Sequence, residues 1–232
     1  MASITPAILE KDFREIKNKL NFLRDRVKCV HLDLCDGIFA PSQTWPFASG
    51  GFDDFDFRKI MNEEEGLPFW QEFDFEFDLM VADAVENFDT YMKLGPKRMI
   101  FHLSAQRDLK AFEDFLESID LYIRDNVEMG LAFKPSDDLE IVSRFSHKVD
   151  FLHCMGSDNI GYQGEPFSEK AFENIRTLKE KLPGIVVSVD IGINLEDAEA
   201  ILAAGADRLT VGSAIWRSGD PIGALETFQS LV

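Results

Sequence analysis

The chain has 232 residues, of which 45% are hydrophobic and 28% charged. That composition excludes a disordered or fibrous protein, and the length suits one barrel-sized domain of about 250 residues. Twenty-four basic against 42 acidic residues leave a net charge of −18, which disfavours nucleic acid and anionic membranes as partners. An anionic small substrate would have to be held by local backbone donors.

The N-terminal run MASITPAILEKDF has neither the basic start nor the apolar core of a signal peptide. No stretch is long enough to span a bilayer. Cys29, Cys35 and Cys154 are odd in number and widely spaced, which reads as reduced, mostly buried thiols in a cytoplasmic protein.

Short apolar runs alternate with longer amphipathic ones. Strands are predicted over 4–9, 28–34, 73–81, 97–103, 127–133, 149–155, 185–190 and 207–211. Helices are predicted to begin near Glu10, Asp53, Asp83, Gln106, Pro135, Ser168, Asn194 and Ser213. Eight strands each followed by a helix predict an α/β fold, a single (β/α)8 TIM barrel over residues 1–232. Asn194, with Glu196 and Asp197 behind it, marks a helix start, and Gly205 marks that helix's end. Residues 40–72 read as loop, irregular helix and loop. The phenylalanines of FDDFDF (52–57) fit either strand or helix, whereas FDFEF (73–77) fits a strand. Twenty-one phenylalanines read as core packing.

In such a barrel the chemistry sits at the C-terminal ends of the strands. There VHLDLCDG (30–37) places His31 and Asp33 two apart, on one face of a strand. An inward His and carboxylate are costly unless they hold a metal or do chemistry; a buried hydrogen-bonded pair is the alternative. Asp190 ends the seventh strand, and Asn194 is better placed to cap the helix after it, so Asp190 reads as a site residue. Asp78 lies in the otherwise apolar run FEFDLMV (75–81) that ends the third strand, and would be expensive there without a partner. Gly192, Gly212 and Ser213 follow the last two strands and could offer backbone N–H groups to a phosphate. The loop GYQGEPF (161–167), with Gly161 and Gly164, has the same potential or could act as a lid. His102 ends the fourth strand within reach of the site. His147 reads as a surface residue and His153 as a structural one.

These residues carry a resemblance to the ribulose-phosphate 3-epimerase family along almost the whole chain. TPAIL (5–9) resembles its first strand. HLDLCDG with FAP after it (31–41) resembles the family's H-x-D-x-M-D-G and F-x-P. DLMV (78–81) resembles H-L-M-V, and FHLSA (101–105) and GLAFKPSDDLE (130–140) resemble its fourth and fifth strands. VDIGIN (189–194) resembles V-D-G-G-I-N. AGADRLTVGSAIW (204–216) resembles the last strand and helix, a motif that many phosphate-binding barrels share.

The resemblance implies a metal-assisted epimerisation of D-ribulose 5-phosphate to D-xylulose 5-phosphate through an enediolate. Asp33 and Asp190 match the two proton-transferring aspartates. His31, Asp33 and Asp190 match three of four metal ligands, and the fourth, a His in the family, is Asp78. Gly161, Gly164, Gly192, Gly212 and Ser213 match the phosphate-binding segments. A homo-oligomer is implied as well.

Other departures are Ala7 for a serine, Cys35 for a methionine, Ile191 for a glycine, and a sixth-strand loop one residue longer. One His and three Asp make an oxygen-rich site, which shifts the expected divalent ion from Zn towards Mn, Mg or Fe(II). A protonated Asp78, or a site without metal, are the alternatives. Three functions follow: a pentulose-phosphate 3-epimerase, an epimerase of another sugar phosphate such as a ketohexose 6-phosphate, or a non-catalytic sugar-phosphate-binding barrel.

Overall fold

In a computed structural model, which describes residues 2–162 and 164–232, eight parallel strands close into a barrel in chain order. They are β1 (Ser3–Ile8), β2 (Cys29–Cys35), β3 (Asp74–Met80), β4 (Pro96–His102), β5 (Glu128–Phe133), β6 (Phe151–Met155), β7 (Val186–Asp190) and β8 (Arg208–Val211). The predicted strands are all present, with ends shifted by up to two residues. Outside them lie α1 (Phe13–Leu23), α2 (Phe55–Met61), α3 (Phe88–Met92), α4 (Leu109–Ser118), α5 (Leu121–Asn126), α6 (Leu139–Phe145), α7 (Glu169–Lys181), α8 (Leu195–Ala203), α9 (Ser213–Trp216) and α10 (Pro221–Gln229). The sequence reading did not separate α5 from α4 or α10 from α9.

Side-chain alternation along each strand sorts the residues into two populations. Val30, Leu32, Leu34, Phe75, Phe77 and Leu79 turn outward and join one large core between barrel and helices. A smaller cluster, including Cys35, Met80, Ile100, Ala132, Phe151 and Met155, fills the barrel interior. The rest of that interior is polar. Arg98 Nε lies 2.6 Å from Glu76 Oε2, and Arg208 Nη2 donates to Glu128 Oε2 at 2.9 Å. These residues all sit towards the N-terminal ends of their strands, so the ion pairs close the barrel floor.

Most helices start later than the sequence suggests. Asp12, Asp108 and Asp138 accept backbone N–H bonds as N-caps of α1, α4 and α6, two or three residues past the expected starts. The residues before them build the loops at the barrel mouth. Ser168 and Asn194 cap α7 and α8 as expected. Residues 52–57 end a 3-10 turn and open α2, with Asp54 as its cap. Cys29, Cys35 and Cys154 are all free thiols. No helix is long and apolar enough to cross a membrane among the described residues.

Candidate active site

β2 and β3 run in register, with His31 opposite Glu76 and Asp33 opposite Asp78. All four side chains are inward and buried. Asp190 enters from β7 across the barrel. Ligand atoms of His31, Asp33, Asp78 and Asp190 all lie within 4.8 Å of one another, so one His and three carboxylates from three strands share a single point.

Each member is held in place from behind. His31 Nδ1 lies 2.7 Å from Glu76 Oε1 and its Nε2 3.2 Å from Asp33 Oδ1. Burial opposes charge on this imidazole, but the hydrogen bonds to Asp33 and Glu76 win and raise its pKa well above the ordinary value. Burial would lift Glu76 too, yet His31 and Arg98 hold it down at about 2. Glu76 is therefore an acceptor for the Nδ1 proton, and Nε2 faces the cluster.

Asp78 Oδ1 accepts from His102 Nε2 at 2.6 Å. His102 outweighs the cost of burial and keeps Asp78 below the usual carboxylate range. The hydrogen bond from His102 thus favours the carboxylate form of Asp78 over the protonated alternative. Its Oδ2 is buried with no hydrogen-bond partner among the described residues. Asp33 behaves oppositely. Burial pushes it up to about 6, against the pull of His31, and the charges of Asp190 and Asp78 add to the rise. Asp190 Oδ1 accepts the Ile191 N–H at 2.6 Å.

An orphaned buried carboxylate oxygen, three convergent carboxylates and an imidazole nitrogen fit a hard divalent cation. The four residues would hold such an ion with one His and three Asp donors.

A cleft opens beside this cluster. Asp33 and Asp190 line it, as do Gly161, Gly164, Gly192, Gly212 and Ser213. All five expected phosphate-side residues therefore face one space with the two aspartates. Gly192 has φ of +77°, and a Cβ on it would meet the Phe167 nitrogen at 2.7 Å. Only glycine fits there. Ile191 also has a positive φ, +67°, which is strained for a β-branched residue. Its side chain lines the cavity and packs on the interior cluster.

Loops fix the mouth. Asp36 accepts backbone N–H bonds from Ile38, Phe39 and Ala82, at 2.7, 2.9 and 2.7 Å, joining the loops after β2 and β3. The Gly156 N–H donates to the Asp190 carbonyl at 2.6 Å, tying the loop after β6 to the end of β7.

Sequence reasoning missed Glu76 and Arg98. Glu76 is two residues from Asp78, the same spacing that revealed His31 and Asp33. His147 is exposed, as expected. His153 is fully buried, but it lies 4.0 Å from Asp190 rather than in a remote part of the core.

Known proteins share this arrangement of sequence and fold. The sequence profile of the ribulose-phosphate 3 epimerase family matches residues 3–216. The chain is 25% identical over 222 residues to a ribulose-phosphate 3-epimerase of Schizosaccharomyces pombe, covering 95% of this chain and 89% of that one. It is 24% identical over 227 residues to the Bacillus subtilis enzyme of the same name, covering 95% and 94%. These relatives are epimerases, hence isomerases. The fold is similar to KGPDC from Streptococcus mutans, with a TM-score of 0.71 at 14% identity over 98% of this chain and 95% of that one. It is also similar to 3-hexulose-6-phosphate synthase from Salmonella typhimurium, with a TM-score of 0.66 at 16% identity over 100% and 98%. Fold likeness at this identity does not fix an activity, but the match of residues 3–216 does fix kinship: the chain belongs to the ribulose-phosphate 3-epimerase family.

Proposed function

We propose that the chain interconverts D-ribulose 5-phosphate and D-xylulose 5-phosphate by proton transfer at C3. The observation that carries this reading is the shared cavity: Asp33 from β2 and Asp190 from β7 line one space with the glycine-rich ends of β7 and β8.

The phosphate sits against Gly192, Gly212 and Ser213, whose backbone N–H groups are neutral donors in an acidic protein. The ketone end then reaches down to the aspartates. One of these, as carboxylate, takes the proton from C3, and the electron pair moves onto the ketone oxygen to give an enediolate. The other, carrying a proton, delivers it to the opposite face of C3. Proton count is conserved: one aspartate ends protonated and the other ionised, the reverse of the start. Asp33 and Asp190 sit with carboxylate oxygens turned to the same cleft, as two groups that exchange the roles of base and acid require. A divalent cation held by His31, Asp33, Asp78 and Asp190 would supply positive charge beside the oxygens of the ketone and enediolate.

The test is incubation with ribulose 5-phosphate in heavy water, with Mn²⁺, Mg²⁺, Fe²⁺ and Zn²⁺ in turn. Deuterium at C3 and appearance of xylulose 5-phosphate are expected with at least one ion. Phosphate-dependent binding with no exchange under any ion would instead favour the non-catalytic barrel.

A further inference from the structure

We infer that His153 is a positioning residue for Asp190, holding its Oδ2 through Nε2 so that this carboxylate meets cation and substrate in one orientation. The part concerning substrate rests on the epimerase reading; the part concerning the carboxylate stands on geometry alone.

His153 is on β6 with none of its surface exposed. Alternation places it inside the barrel: Leu152 and Cys154 beside it join the outer core, while Phe151 and Met155 join the interior one. Neither of its ring nitrogens has a hydrogen-bond partner among the described residues. A buried imidazole with two unpaired nitrogens is unfavourable, and a packing role alone would be met better by an aliphatic side chain. Yet Nε2 lies 4.0 Å from Asp190 Oδ2, about 1 Å beyond hydrogen-bond distance.

The other oxygen of Asp190 is already committed. Oδ1 accepts the Ile191 N–H, so Oδ2 is left for cation or substrate, and a donor beside it would fix the rotation of the carboxylate. The partner aspartate is built the same way, since Asp33 Oδ1 faces His31 Nε2 at 3.2 Å. The two imidazoles stack on each other, with centroids 5.7 Å apart and planes 13° from parallel. Each proposed proton-transfer group thus has its own ring, and the two rings brace one another across the barrel.

The test compares H153L, H153Q and H153N in the full chain. Glutamine keeps a nitrogen donor near the position of Nε2; asparagine keeps one only near Nδ1; leucine keeps neither. Mn²⁺ affinity of the metal-free protein is read by calorimetry, with thermal unfolding followed in parallel. C3 deuterium exchange from each epimer is read on the Mn²⁺ form. H153L and H153N are expected to weaken Mn²⁺ binding by about 10–100-fold, as loss of an outer partner of a ligand does, with H153Q within about threefold of wild type. In H153L and H153N, exchange should fall for the epimer whose C3 proton faces Asp190 and persist for the one facing Asp33.

A purely structural role predicts the opposite order, with leucine tolerated best. Mn²⁺ affinity in H153L equal to or above that in H153Q would overturn the inference, as would a wild-type chain that binds no Mn²⁺. If H153L does not fold, the contrast between H153Q and H153N decides in the same way. A wild-type chain that binds Mn²⁺ without exchanging C3 protons would sink the epimerase reading while leaving the affinity contrast decisive for His153.

Discussion

Two walls of the barrel are built on different principles. The β2–β4 wall carries His31, Asp33, Glu76, Asp78, Arg98 and His102 inward, all of them buried except Arg98, which is half-buried. The β8–β1 wall presents Thr5, Ala7, Thr210 and the backbone at Gly212. On the first wall the burial of charge is offset by partners: every ionic side chain there is bonded to another. On the second wall Arg208 is paired at the barrel floor, and the mouth is lined by Ala7, Thr210, Gly212 and Ser213, so the backbone itself is exposed to the cavity. On the proposed epimerase reading, the difference separates two tasks. Proton transfer and cation binding need side chains of tuned charge. Holding a dianion inside a protein of net charge −18 needs neutral donors that do not disturb that tuning.

The largest expected effect breaks the charged wall at its working end. Asp33→Asn and Asp190→Asn should each lower kcat by at least about 10²–10⁴-fold with the fold intact by circular dichroism. A loss in only one variant would show that the two aspartates are not partners in one reaction. Next comes the neutral wall. Gly192→Ala forces a Cβ to within 2.8 Å of the Glu165 carbonyl oxygen as well as onto Phe167, at a positive φ. It should raise KM for the sugar phosphate by about tenfold or more and lower stability by ~1–3 kcal/mol. Unchanged KM would remove this glycine from the phosphate side.

A pH series sharpens the same contrast. In the metal-free protein Asp33 titrates at about 6 in the folded state, above its ordinary 3.8. Between those values the folded state binds the extra proton, so stability falls as pH rises through them. The fall is on the order of 3 kcal/mol and should flatten above about pH 6. Asp33→Asn should abolish that segment of the pH profile in denaturant titrations, whereas Gly192→Ala should leave it in place. The smallest effect is expected for Ile191→Gly. It relieves a left-handed backbone that costs roughly 1–2 kcal/mol for a residue with a Cβ, but it loses side-chain packing inside the barrel. Stability should change by less than about 1 kcal/mol, and a larger loss would mean that the isoleucine side chain organises the cavity.

The strands were legible because each is a short apolar run between polar ones, and period-two spacing announced His31 and Asp33. Glu76 sends the same signal relative to Asp78. It was hidden because Phe75, Phe77 and Leu79 made β3 read as a continuous apolar strand. His153 was not legible in kind: a lone His between Leu152 and Cys154 looks structural until the barrel closes and β6 and β7 align Met155 with Asp190. Helix starts were misplaced because the aspartate N-caps lie past loop segments that belong to the mouth, as Asp12 and Asp108 show. Asp78 illustrates the limit from the other side. Its place in the third strand was readable, but the lowering of its pKa depends on His102, 24 residues away, whose ring reaches it only in the folded barrel.

Four side chains from β2, β3 and β7 converge on one point that could hold a cation, and metal analysis decides whether they do. After loading with Mn²⁺ and exhaustive dialysis, the wild-type chain should retain one ion per chain by elemental analysis. Asp78→Ala and Asp190→Ala should each retain almost none while staying folded. Retention of the full equivalent by both variants, or of none by the wild type, would show that these four residues do not form a cation site.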